Sequence, residues 1–170
     1  MKCILPRVFR SDAEAVLVNT AGGVTGGDRI GITARAGKNT QLSITTQAAE
    51  RIYRTTDGST GRIETQIDVD GGARLNWLPQ ETILFDHARL QRALCVNLAQ
   101  GARLLLCETL VFGRAAMGEH VQHLHLDDRI RITRDGMPLY LDGIRMNGNV
   151  SEQLKCDAVA GGAGVVATLV

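Results

Sequence analysis

Two segments of this chain repeat one another. Ile67-Asp68-Val69-Asp70-Gly71-Gly72-Ala73-Arg74-Leu75 parallels Val96-Asn97-Leu98-Ala99-Gln100-Gly101-Ala102-Arg103-Leu104. Each carries apolar side chains at alternate positions, then a glycine turn, then Gly-Ala-Arg-Leu opening the next segment. Alternation is the period of a half-buried strand, and a Gly-Gly or Asp-Gly pair between two such runs is a strong short-range hairpin signal. Weaker copies surround Gly37 and Arg134-Asp135-Gly136. Repeated units of this kind cannot bury an apolar face alone and stack on each other. The repeat therefore predicts a mainly all-β fold of stacked antiparallel hairpins or layered sheets, of sandwich or solenoid type.

The parallel extends to Glu81-Thr82-Ile83-Leu84-Phe85 and Glu108-Thr109-Leu110-Val111-Phe112. It gives Glu81 and Glu108 equivalent places, so stacking could bring the two carboxylates together. Further strands are expected at 15–18, 30–36 and 41–47. Helices are expected to be one or two and short. His87–Leu94 fits a helix or, by its alternation, a strand. Ser151–Ala160 fits a helix capped by Ser151, with Leu154, Ala158 and Val159 on one side.

Between the first strands lies Asn19-Thr20-Ala21-Gly22-Gly23-Val24-Thr25-Gly26-Gly27-Asp28, with four glycines in ten residues. A Walker loop would end in Gly-Lys-Ser/Thr, whereas Asp28 and Arg29 follow here. A dinucleotide fingerprint would open a helix, whereas Ile30 and Ile32 continue at strand period. An aspartate would also repel phosphate. The loop reads as a turn between strands.

These stretches resemble the UreD (also called UreH) family of urease accessory proteins. Gly22-Gly23-Val24-Thr25-Gly26-Gly27-Asp28 is similar to a glycine motif of that family. So, in order, are Thr45-Thr46-Gln47-Ala48-Ala49-Glu50-Arg51-Ile52-Tyr53-Arg54 and Leu78-Pro79-Gln80-Glu81-Thr82-Ile83-Leu84-Phe85-Asp86-His87-Ala88-Arg89. Glu108–Arg114 and Met117-Gly118-Glu119 follow in the same order. The resemblance implies a single β-rich domain over residues 1–170, as part of a longer UreD-like chain. It implies a non-enzymatic urease maturation factor that binds the urease apoprotein with UreF and the GTPase UreG and assists nickel delivery. It also implies no permanently bound cofactor, transient contact with nickel, and a homodimer within the accessory complex.

Nineteen Lys and Arg stand against 18 Asp and Glu, a formal charge of +1, and aromatic residues make up 4%. Neither a basic face for nucleic acid nor a stacking platform for bases is indicated. No run approaches the ~20 apolar residues of a membrane span. The cysteines Cys3, Cys95, Cys107 and Cys156 form no Cys-x-x-Cys pair and read as reduced, mostly buried thiols of a cytoplasmic protein.

Candidate chemical groups are Glu81, Asp86, His87, Glu108, Glu119, His120, His123 and His125. No Gly-x-Ser-x-Gly elbow is present. On a strand, His123 and His125 share one face and His120 the other; the first two are candidate nitrogen ligands for nickel or zinc. Asp28, Glu81, Asp86, Glu108 and Glu119 are candidates for lining a cation path, with Arg51, Arg54, Arg89 and Arg114 placed to neutralise them. The alternative function is a β-fold hydrolase or carbohydrate-active enzyme using Glu81 and Glu108 as a carboxylate pair, whose separation would be diagnostic.

Overall fold

The computed structural model describes residues 1–7 and 12–170. In chain order the strands are β1 (Lys2–Ile4), β2 (Ala13–Val18), β3 (Arg29–Ala36), β4 (Gln41–Thr46), β5 (Glu50–Ile52), β6 (Gly61–Val69), β7 (Arg74–Trp77) and β8 (Thr82–Leu84). They continue as β9 (Arg89–Leu98), β10 (Arg103–Phe112), β11 (His123–Arg134), β12 (Met137–Asn149) and β13 (Val165–Leu169). A 3-10 turn covers Ala115–Met117, and one helix, α1, covers Val150–Lys155. The strands form two sheets, one in the order β12-β11-β9-β6-β3, the other β1-β2-β4-β7-β10-β8-β5 with β13 also paired to β10.

The mainly β, layered expectation holds, and the solenoid form of it is the one observed. Successive passes of the chain cross from one sheet to the other and stack on the previous pass. Ile67 pairs with Val96 and Val69 with Leu98 in one sheet; Arg74 pairs with Arg103 and Leu75 with Leu104 in the other. The sequence repeat is therefore the ladder register. The first pass, β3 to β4, stacks under the second through Ala34–Ile67 and Leu42–Leu75.

The direction of pairing corrects the hairpin expectation. Contacts between passes are parallel, because the turns at Gly71-Gly72 and Gly101 carry the chain across to the opposite sheet. Both close alike, Ala73 donating to Asp70 and Ala102 to Ala99, each at 3.0 Å. Turn chemistry alone does not distinguish a corner from a hairpin; the apolar alternation on both sides of the turn, which both sheets bury, decides it. Apart from one isolated antiparallel bridge between Arg54 and Ala88, antiparallel pairing among the strands of the described residues is confined to β1/β2, β10/β13 and β11/β12. The last is a true hairpin, with Asp135 and Gly136 both at positive φ, as a two-residue primed turn requires.

The ambiguous segment after His87 is strand, since Leu90, Arg92, Leu94, Val96 and Leu98 all point inward from β9. The expected helix is shorter than its pattern: it ends at Lys155, and its cap is Asn149, which accepts from the Glu152 amide at 3.3 Å, rather than Ser151. The cysteines are free, but Cys3 and Cys156 are exposed and Cys95 and Cys107 only half-buried. No helix among the described residues is long and apolar enough to cross a membrane.

The glycine loop between β2 and β3 is a packing device. Val24 is fully buried and bridges to β5, its amide donating to Arg51 O and its carbonyl accepting from Tyr53 N, both at 2.8 Å. A Cβ on Gly23 would overlap the Tyr53 ring and lie 2.6 Å from the Arg51 carbonyl. Gly31, inside β3, faces open space. We expect Gly23→Ala to lower stability by about 2–3 kcal/mol through forced backbone displacement. Gly31→Ala should be neutral or stabilising by up to about 1 kcal/mol. Urea midpoints of the two variants check both.

Candidate functional site

The interior is divided by one polar layer. Along β9 the inward residues run Leu90, Arg92, Leu94; along β10 they run Leu106, Glu108, Leu110; along β11 they run Leu126, Asp128, Ile130. In each strand a charged residue occupies the middle position. One apolar cluster, containing Leu94, Leu106 and Ile130, lies on one side, and a second, containing Leu90, Leu110 and Leu126, on the other.

The charged residues meet. Arg92 binds Asp128 with two parallel hydrogen bonds, Nε to Oδ1 at 2.8 Å and Nη2 to Oδ2 at 2.6 Å. Its Nη1 donates to Glu108 Oε2 at 2.7 Å and to Thr82 Oγ1 at 3.1 Å. Trp77 Nε1 donates to Glu108 Oε1 at 2.6 Å. All four carboxylate oxygens thus act as acceptors. Burial pulls the Arg92 pKa down, but Glu108 and Asp128 outweigh it and hold the guanidinium above its ordinary value. Two small cavities flank the ion cluster. One, of about 50 Å³, is lined by Glu50, Thr65, Trp77, Thr82, Arg92 and Glu108. The other, of about 10 Å³, is lined by Arg92, Glu108, Asp128 and Asp142 among others. Burial raises the pKa of Glu50, against a hydrogen bond from Asn19.

A second constellation lies at the surface, where the β8–β9 turn meets the start of β11. Asp86 Oδ1 accepts from the amides of Gln122 and His123, each at 2.8 Å. Oδ2 lies 3.5 Å from His87 Nε2. Burial would raise the Asp86 pKa, but those two amides, with His87, hold it below the usual carboxylate range. The rings of His87 and His123 stack at 5.0 Å with 15° between planes. Beside them an open pocket of about 300 Å³ is lined by Thr55, Arg89, His125, Asn147 and others. Close by, Arg114 lies over Phe85 at 4.1 Å and pairs with Glu119 at 2.8 Å. That hydrogen bond, opposed by burial, lowers the Glu119 pKa, and the Asp86 amide contributes in the same direction.

The expected site residues fall as follows. Of the five acids, only Glu108 enters the buried layer. Asp86 and Glu119 are neighbours near the surface constellation, and Asp28 is exposed, accepting from the Thr25 amide in its own loop. Glu81 does not match Glu108. Thr82 pairs with Leu110, one position later than the sequence parallel requires, so Glu81 alternates to the half-exposed side while Glu108 faces inward. Between the Trp77–Leu106 and Thr82–Leu110 pairs, the segment that contains Pro79, which lacks an amide, holds one residue more than β10, whereas aligning Glu81 with Glu108 would need two more. The acid pair that a glycosidase needs is not formed. His123 and His125 do share the outward face of β11, Leu124 and Leu126 facing in; His120 precedes the strand rather than lying on it. Among the four arginines expected beside the acids, only Arg114 makes an ion pair within the described residues. Glu108 is held by Arg92, which was not among them. Arg92 and Asp128 were detectable, since each places a charge at an inward position of an otherwise apolar alternation.

A family model described as UreD urease accessory protein matches residues 4–170. The urease accessory protein UreD of Ruegeria pomeroyi is 51% identical over 99% of this chain and 66% of its own length. That of Ruegeria sp. (strain TM1040) is 54% identical over 95% and 54%, and that of Roseobacter denitrificans 50% over 100% and 62%. The chain thus spans between about half and two thirds of the length of these relatives.

The buried cluster yields a stability prediction. Arg92→Met leaves two carboxylates buried without their cation and should cost about 3–5 kcal/mol. Trp77→Phe removes one charge-assisted hydrogen bond and leaves a small void at a buried position, and should cost about 1.5–3 kcal/mol. Equal losses in the two variants, measured by chemical denaturation, would contradict the central place given to Arg92.

Proposed function

The chain belongs to the UreD family of urease accessory proteins, and on that premise we propose that it serves urease maturation as a non-enzymatic scaffold. It binds the urease apoprotein together with UreF and the GTPase UreG in the cytoplasm and assists delivery of nickel, which is cargo rather than a resident cofactor. The observation that carries this reading is the family match over residues 4–170. The local chemistry is compatible with it. The carboxylates of Glu108 and Asp128 are engaged by Arg92 and Trp77, which leaves none of their oxygens without a partner. The glycine loop packs against Tyr53 and Arg51, and nucleotide chemistry falls to the GTPase partner.

The geometry also bears on how an ion would be handled. The cavities beside Arg92 are small, about 50 and 10 Å³. A cation crossing the layer would meet Glu50, Glu108, Asp128 and Asp142, and Arg92 would first have to release Glu108.

Co-expression with UreF tests the scaffold. A complex that co-elutes from a sizing column is the expected result. Absence of a complex from a chain shown to be folded by circular dichroism would overturn the proposal that this chain carries the partner surface.

A further inference from the structure

Asp86, His87 and His123 are the one group of three metal-ligating side chains among the described residues whose donor atoms all lie within 4.8 Å of one another. Their backbones are tied together. His87 N donates to His123 O at 2.8 Å, and His125 N to Ala88 O at 3.1 Å. The two amides that hold Asp86 Oδ1 fix the carboxylate, leaving Oδ2 turned toward His87 Nε2. His87 itself takes a left-handed backbone at φ 61°, uncommon outside glycine although histidine is among the residues that tolerate it. From that position its ring stacks on His123. Both imidazoles are exposed, so the rings are free to turn out of their stack and direct their in-plane nitrogen lone pairs to the ~2.1 Å bonds that a first-row ion makes.

We infer that this triad binds a divalent late first-row transition cation, of the nickel or zinc class, through one carboxylate oxygen and two imidazole nitrogens. Imidazole selects these ions, whereas magnesium and calcium call for oxygen sets. Three protein donors leave coordination positions open to water or to a group from another molecule. Arg89 lines the adjoining pocket, and its fixed positive charge favours an exchangeable ion over a permanent one. His125 lies on the same strand face but outside the triad. The inference stands on this geometry and is independent of the scaffold role.

Calorimetric titration with Ni²⁺ tests it, using the full chain with the exposed thiols removed by Cys3→Ser and Cys156→Ser. Asp86→Asn keeps an oxygen for the two amides but loses the anionic donor. His87→Asn keeps a residue that tolerates left-handed backbone. His123→Gln alters an exposed side chain. The expected result is one ion per chain in the parent, at least tenfold weaker binding in each of these three variants (about 1.4 kcal/mol), and unchanged binding in His125→Gln. Circular dichroism verifies that each variant is folded. No Ni²⁺ uptake by the parent, or parent-like affinity in all three triad variants, would overturn the site.

Discussion

The Arg92 cluster is the constraint on which the interior depends. A guanidinium and two carboxylates cannot be withdrawn from water unless each donor and acceptor finds a partner. Here the partners come from both sheets: Arg92 on β9 and Asp128 on β11 from one, Glu108 on β10, with Trp77 on β7 and Thr82 on β8, from the other. The bidentate Arg92–Asp128 pair locks adjacent parallel strands, and the Arg92–Glu108 bond spans the space between the sheets. A hydrophobic core tolerates many near-equivalent packings; this layer tolerates few. A shift of one residue in any of the three strands would turn a charge outward and an outward residue in. The cluster therefore specifies register as well as contributing energy, and the two apolar clusters pack on either side of a fixed plane.

The same logic governs how the passes are stacked. The parallel ladders hold the repeat in register through Leu75–Leu104 and Trp77–Leu106. They then resume one residue displaced at Thr82–Leu110. The displacement puts the hydroxyl of Thr82 within reach of Arg92 and leaves Glu81 outside. A strict continuation of that ladder would have placed Thr82 opposite Val111, on the half-exposed side. An irregularity beside Pro79 thus supplies one of the hydrogen bonds that Arg92 needs.

Much of this was legible in the sequence. Alternation located β3, β4, β6 and β10 and left the start of β9 open between helix and strand, and the Gly-Ala-Arg-Leu repeat gave the coil register itself. The parallel direction was not legible, because Gly71-Gly72 and Gly101 satisfy a corner as well as a hairpin. The interior cluster escaped for a different reason. Motifs drew attention to acids beside turns, whereas the decisive signal was positional: Arg92 between Leu90 and Leu94, Asp128 between Leu126 and Ile130. Proximity between Asp86 and His123 could not be read at all. It depends on β11 lying parallel beside β9, with His125 opposite Arg89, which brings the start of β11 against the turn that precedes β9.

The molecule therefore holds its charged groups in two contrasting ways. In the interior every oxygen of Glu108 and Asp128 is engaged, the surrounding cavities are small, and Arg92 already occupies the place a cation would take. Exchange there requires breaking charge-assisted bonds in a medium of low dielectric, where such bonds are strongest. At the surface, Asp86 is oriented by two backbone amides on one oxygen, while the other lies 3.5 Å from His87 Nε2, and the stacked rings of His87 and His123 are exposed. Orientation without saturation is the condition under which a ligand set can take up and release an ion quickly. The rigidity of the buried layer and the openness of the surface triad are connected: β9 and β11, locked together through Arg92 and Asp128, are the strands whose beginnings carry the triad. A fixed interior register holds Asp86, His87 and His123 within reach of one another without a contact between their side chains having to be strong.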